Sequence, residues 1–199
     1  MKKRQLITGA GIVLLTFGIS CNNPRTADNS IEQAEAVNDT MAMTNEDDAD
    51  FAVKAADASL AEVDLGKLAV ERAVDPRVKA FAQHMIDGHQ KANEELMSIA
   101  IRLDITLPPV VSEDQANKQM QLRDETGADF DRAYMDRMVK DHNQAVSLFE
   151  DAASDARNPD LQAFATKTLP TLKKHHEEAK ALQDSIRPMD SPIVPRSMP

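Results

Sequence analysis

From Val78 to Leu103 one face of the chain recurs at spacings of 4 and 3 without a miss: Val78, Ala82, Met85, His89, Ala92, Leu96, Ile99 and Leu103. An alternation of this kind over 26 residues is one face of an α-helix, because side chains in a strand return to the same face every second residue. The stripe is apolar except at His89. Three further segments carry the same pattern. Phe51, Ala55, Ala58, Glu62, Leu65 and Ala69 mark a helix over 47–73. Asp131, Met135, Met138, His142, Ala145, Phe149, Ala152 and Ala156 mark one over 128–156. Leu161, Ala165, Thr168, Leu172, His175, Ala179, Leu182 and Ile186 mark the last, over 160–186.

The boundaries are chemical. Asp75-Pro76 and Asn158-Pro159 each place a proline in the first turn of the following helix. Leu107-Pro108-Pro109 stops the second long helix, and Thr126-Gly127 precedes the third. Ser112 followed by Gln115 has the form of a capping box and opens a shorter helix, about 113–124. Pro170, inside the last segment, should kink that helix or remove one of its hydrogen bonds. Four amphipathic helices of this length, each about 40 Å at ~1.5 Å per residue, make a four-helix bundle spanning 47–186. The absence of Trp, the single Tyr and the ten Met agree with helix over sheet.

What flanks the bundle reads differently. Lys2, Lys3 and Arg4 precede an apolar run from Leu6 to Ile19, so 1–20 is expected to be a signal peptide. It is too short for a comfortable membrane span. Small residues lead to Cys21, the only cysteine, in a loose match to a bacterial lipobox with Gly18 where Leu is usual. Cys21 is therefore the expected lipidation site, and a disulfide within the chain or a multi-cysteine metal site is excluded. Residues 21–46 are polar and read as a disordered tether, and 187–199, with four prolines, as a disordered tail. The net charge is −10, and loss of Lys2, Lys3 and Arg4 takes it to −13. That charge argues against a nucleic-acid partner. The expected location is the cell envelope, with a lipid on Cys21 holding the protein at the outer membrane facing the periplasm.

Topology decides where the polar stripe positions meet. The connection from Asp104 to Gly127 has 24 residues, enough to cross the whole bundle and more than a tight turn between neighbours requires. If it crosses, Glu62, His89, His142 and His175 lie at one level within roughly 5 Å. In plain up-and-down order the last two fall some 6 Å away from the others. The crossover is the preferred arrangement.

One carboxylate and three imidazoles, one from each helix, suit Zn, Fe, Mn or Cu, and Glu62, His89, His142 and His175 are the candidate metal ligands. Met85 and Met138, one turn before two of the histidines, would favour copper if they faced the site, although Met in a stripe is more often core filler. Asp87 and Asp141 are candidates for orienting the rings. His84 and His176 fall off the stripes and read as solvated. A His bonded to Glu62 would also satisfy a core without any metal. There is no hydrolase-type serine motif, phosphate loop or glycine fingerprint, so catalysis is disfavoured.

Phe51-Ala-Val-Lys-Ala-Ala-Asp-Ala-Ser-Leu-Ala-Glu-Val-Asp-Leu-Gly-Lys-Leu-Ala69 resembles the opening of the bacterial domain-of-unknown-function family 4142 (DUF4142). So do Val78-Lys-Ala-Phe-Ala-Gln-His-Met-Ile-Asp-Gly-His89, Phe130-Asp-Arg-Ala-Tyr-Met-Asp-Arg-Met-Val-Lys-Asp-His142 and Thr168-Leu-Pro-Thr-Leu-Lys-Lys-His175. The likeness covers about 48–184, with the motifs in order. It implies a ferritin-like four-helix bundle with a long crossover, in exported or lipid-anchored envelope proteins, and no established activity. Glu62, His89, His142 and His175 are the matching positions. The family's usual Asp is Gly88 here, which removes a group that could orient a ring. Di-iron ferritin-like proteins carry Glu-x-x-His pairs, whereas Ile86, Val139 and Leu172 stand three residues before these histidines. The first expectation is thus a lipid-anchored envelope protein holding a metal ion in a sensing, buffering or stress role. The alternative is a metal-free structural or interaction module of the envelope.

Overall fold

The computed structural model describes residues 30–40 and 45–187, and these hold helices and no strand. In chain order they are α1 (Ser30–Asn38), α2 (Glu46–Arg72), α3 (Pro76–Leu103), α4 (Glu113–Arg123), α5 (Gly127–Asp155) and α6 (Pro159–Ile186). The four long helices fall within a residue of the periodic segments. The expected signal peptide, the expected lipidation site Cys21 and the tail beyond Arg187 lie outside the described residues.

Local chemistry sets the helix starts. Asn45, Ser112 and Asn158 each accept a hydrogen bond from a backbone N–H of the first turn that follows, and Asp75 does the same for Arg77. Pro76 and Pro159 occupy the first turns, where no intrahelical N–H bond is lost. The Ser112–Gln115 box is half made: Ser112 Oγ accepts from the Gln115 N–H, while the Gln115 side chain accepts from Arg137 instead. Gly127 opens α5 with φ of 59°, a left-handed conformation that costs glycine nothing. α6 runs unbroken through Pro170, whose ring is exposed.

Hydrogen bonds between helix ends give the directions. At one end, the Asp131 carboxylate near the start of α5 accepts from the N–H groups of Val74 and Asp75, at the end of α2. At the other, the Asp48 carboxylate near the start of α2 accepts from the N–H groups of Arg157 and Asn158, just past α5. α2 and α5 are therefore antiparallel neighbours, and α3 runs parallel to α5. The link between them travels back along the bundle. The Asp57 carboxylate, halfway along α2, accepts from the N–H and Oγ–H of Ser112, and Arg72 at the α2 terminus donates to the carbonyls of Arg123 and Glu125. The 24-residue connection does cross, carrying α4 on its way.

One expectation fails. Ser30–Asn38, placed in the disordered tether, is helical and packs against α2. Its buried positions are Ser30, Ala34 and Asn38, at spacings of 4. Only one of them is apolar, so hydropathy could not mark the face. It is held by a reciprocal amide pair instead: Asn38 Nδ2 donates to the Thr106 carbonyl at 3.0 Å, and the Thr106 N–H donates to Asn38 Oδ1 at 2.8 Å.

Between the four long helices the core forms two apolar clusters. One, around Phe51, Leu96, Phe149, Leu161 and Phe164, fills the half where α2 and α6 begin. The other, around Leu65, Phe81, Met85, Phe130, Tyr134, Met135 and Met138, fills the half where α3 and α5 begin. α2 and α3 touch closely there, since a Cβ on Gly66 would stand 2.7 Å from Ile86 Cγ1 and 3.1 Å from the Ala82 carbonyl oxygen. Between the two clusters lies a polar layer.

Candidate metal centre

His89 from α3, His142 from α5 and His175 from α6 meet in that layer, all buried. Their ring centroids form a nearly equilateral triangle, 5.6 Å from His89 to His142, 5.8 Å from His89 to His175 and 5.5 Å from His142 to His175. One nitrogen from each ring lies within 4.8 Å of the other two. A point central to such a triangle is about 2.8 Å from each nitrogen, so ligation at ~2.0–2.1 Å asks each ring to move inward by about 0.7 Å. Side-chain rotation covers that.

Two of the rings are fixed by bonds on their far side. His142 Nδ1 lies 3.0 Å from the Met138 carbonyl and 3.5 Å from Glu62 Oε1. With an acceptor carbonyl there, Nδ1 carries the proton and Nε2 keeps its lone pair. His89 Nδ1 lies 3.3 Å from Ser59 Oγ, whose hydroxyl is donated to the His89 carbonyl at 3.2 Å. The same tautomer follows, with Nε2 again free. A donated Nδ1–H that aims the opposite nitrogen inward is how proteins orient metal-binding imidazoles.

The inward atoms are left without partners. Among the described residues His89 Nε2, His142 Nε2, His175 Nδ1 and Glu62 Oε2 are buried and make no hydrogen bond. Each such group costs about 1–3 kcal/mol, and most buried polar groups avoid that cost by pairing. Four in one layer is a concentrated deficit, and three of them are ring nitrogens of the clustered histidines.

The electrostatics suit a ligand set of neutral rings. Burial pushes His89 well below the usual histidine range, with His142 and His175 adding to the effect. Burial takes His142 down to about 4, partly offset by its bond to the Met138 carbonyl. It takes His175 down to about 3, helped by His142, His84 and Lys174. At neutral pH all three rings are uncharged and their lone pairs are available. Burial raises the Glu62 carboxyl well above its ordinary value, and the neighbouring Asp141 adds to this.

Of the four residues expected at the site, three converge. Glu62 stands at the edge, against the protonated face of His142 rather than among the inward nitrogens. Met85 and Met138 belong to the apolar cluster beneath the layer. Asp87 accepts from Gln83 on the surface, and Asp141 pairs with Arg137, so neither bonds a ring of the triad. His84 is exposed, as read, yet its ring packs 5.0 Å from His175 with its Nδ1 3.4 Å from Glu178 Oε2. Ser59 was not singled out from the sequence. It lies one turn before Glu62 on the same helix, and that spacing was its only signal. Gly88 makes room for the third ring, because a Cβ there would sit 3.1 Å from His175 Cε1.

Fold and site together define an all-α helical bundle with a buried three-histidine cluster at mid-height. The chain belongs to the DUF4142 family, a domain of unknown function whose model matches residues 32–182. No curated protein and no solved structure matches it.

Proposed function

We propose that this protein is a lipid-anchored envelope protein with a ferritin-like bundle that holds one divalent transition-metal ion through His89, His142 and His175. Glu62 and Ser59 orient the rings. The observation that carries this reading is the buried cluster of three histidines, each with a ring nitrogen that makes no hydrogen bond. Neutral imidazoles suit Zn and Cu better than Mg or Ca, which prefer oxygen. The absence of a carboxylate among the converging atoms weighs against a di-iron centre of the Glu-x-x-His type. All three rings are buried, which fits an ion held in a sensing, buffering or stress role in the envelope. The apolar run before Cys21 and the acidic surface support an exported, membrane-tethered location.

The test is metal analysis and calorimetry on protein purified without a histidine tag. The expected result is one Zn²⁺ or Cu²⁺ per chain with a raised melting temperature. Protein that takes up none of Zn, Cu, Fe or Mn, and melts unchanged in their presence, would leave the metal-free interaction module as the better reading.

A further inference from the structure

A cavity of about 330 Å³ lies against the histidine layer, on the side of the Phe149–Phe164 cluster. Alanines at the stripe positions leave it open: Ala58 from α2, Ala92 from α3 and Ala145 from α5 line it where larger side chains would fill the space. Its buried end meets Glu62, His89 and His175, and its exposed end reaches Lys54 and Gln144. Three carboxylates line it, Asp57, Glu62 and Asp141, against one cation, Lys54. Most of these charges are already engaged. Lys54 pairs with Asp50 at 2.7 Å, Asp57 accepts from the N–H and Oγ–H of Ser112, and Asp141 pairs with Arg137. Glu62 is the exception. It is only 5% exposed, its Oε1 stands 3.5 Å from His142 Nδ1, and its Oε2 has no hydrogen-bond partner. His89 Nε2, on the same end of the wall, is likewise unpartnered, and it is an acceptor because the ring donates through Nδ1 to Ser59. The buried end thus carries two acceptors that lack a donor.

We infer that the cavity seats an organic cation, a primary alkylammonium with a single chain of about six to eight carbons, its head on Glu62 and its chain among the alanines. An ammonium has three N–H donors and no acceptor, which answers an end where acceptors stand without donors. A buried carboxylate and a buried ammonium are each costly alone, and a charge-assisted hydrogen bond between them offsets both costs. The alkyl chain covers walls that otherwise lack contacts. An anionic head would meet three carboxylates, and an alcohol would bring a donor without the charge. The net charge of −10 draws cations toward the mouth. This inference goes beyond the metal reading and uses no ion.

The test is calorimetry on the full chain, stripped of metal with a chelator and carrying no histidine tag, titrated at pH 7 with octylamine, 1-octanol and octanoate. Octylamine should saturate at one per chain and bind about tenfold or more tightly than octanol, with octanoate weaker still. Glu62→Gln, which keeps the shape and removes the charge, should weaken octylamine about tenfold or more and change octanol by less than about threefold. Ala145→Phe, and independently Ala58→Leu, should weaken octylamine by about tenfold or more, and two separate fillings guard against one that misfolds. The inference is overturned if octylamine gives no saturable heat, if octanol or octanoate binds as tightly, if Glu62→Gln binds octylamine as the parent does, or if both filled variants do. Because no metal is present, failure here leaves the metal reading standing, and a protein that takes up no metal leaves this inference standing.

Discussion

The two halves of the bundle are built from the same helices and differ in what fills them. Where α3 and α5 begin, Leu65, Met85, Phe130, Tyr134, Met135 and Met138 interlock around a close approach of α2 and α3 at Gly66. Where α2 and α6 begin, aromatic rings close the far end, with Phe51 edge-on to Phe149 at 5.2 Å, but alanines leave a cavity between those rings and the histidines. The polar layer sits at the border. The packed half can hold helices in register, and the open half can leave room beside the rings. This division teaches that close packing and open space can be separated along the bundle axis by side-chain volume, on a continuous helical scaffold.

The largest expected effect tests whether the border layer is a site. Changing His89, His142 and His175 together to Gln should abolish metal uptake, seen as loss of bound metal in elemental analysis and of the calorimetric signal. A variant that still binds stoichiometric metal would move the site elsewhere. Next, the halves should answer truncation differently. Leu65→Ala, in the packed half, should cost about 2–5 kcal/mol, whereas Leu148→Ala, on the cavity wall and already half-exposed, should cost about 1 kcal/mol or less. Equal shifts in the urea midpoints of the two variants would erase the contrast.

Acid should act through the layer. His142 has a folded-state value of about 4 against an ordinary 6.5, so the unfolded chain binds protons that the folded chain refuses. Stability contributed by the neutral ring is full above about 6.5 and is lost as pH falls toward about 4, by up to about 3 kcal/mol at ~1.4 kcal/mol per pH unit. His175 adds in the same direction down to about 3. Glu62 has the opposite sign, because its raised value favours the fold at low pH and costs stability as pH rises through that value. Melting the metal-free protein between pH 7 and 4 should show the loss, and the triple Gln variant should show it much reduced. The smallest effect is on ring orientation: Ser59→Ala should weaken metal binding about tenfold without lowering the melting temperature of the metal-free protein by more than a few degrees. An unchanged affinity would mean that packing alone orients His89.

The sequence by itself determined the four long helices, because a 4,3 apolar period is a geometric property of the chain and Pro76, Pro159 and Gly127 mark its breaks. It placed His89, His142 and His175 at one level only on condition that the 104–127 connection crosses, and the tertiary structure met that condition. The tertiary structure decided the rest. It made Ser30–Asn38 a helix through the Asn38–Thr106 pair, a contact between residues 68 apart in sequence that no local pattern encodes. It left Glu62 beside His142 and outside the converging set, because helix rotation, which spacing leaves free by tens of degrees, sets whether a stripe residue points at the centre or past it. It also turned scattered alanines into one cavity, because the size of a hole depends on which small side chains face each other across helices, and that is a property of packing.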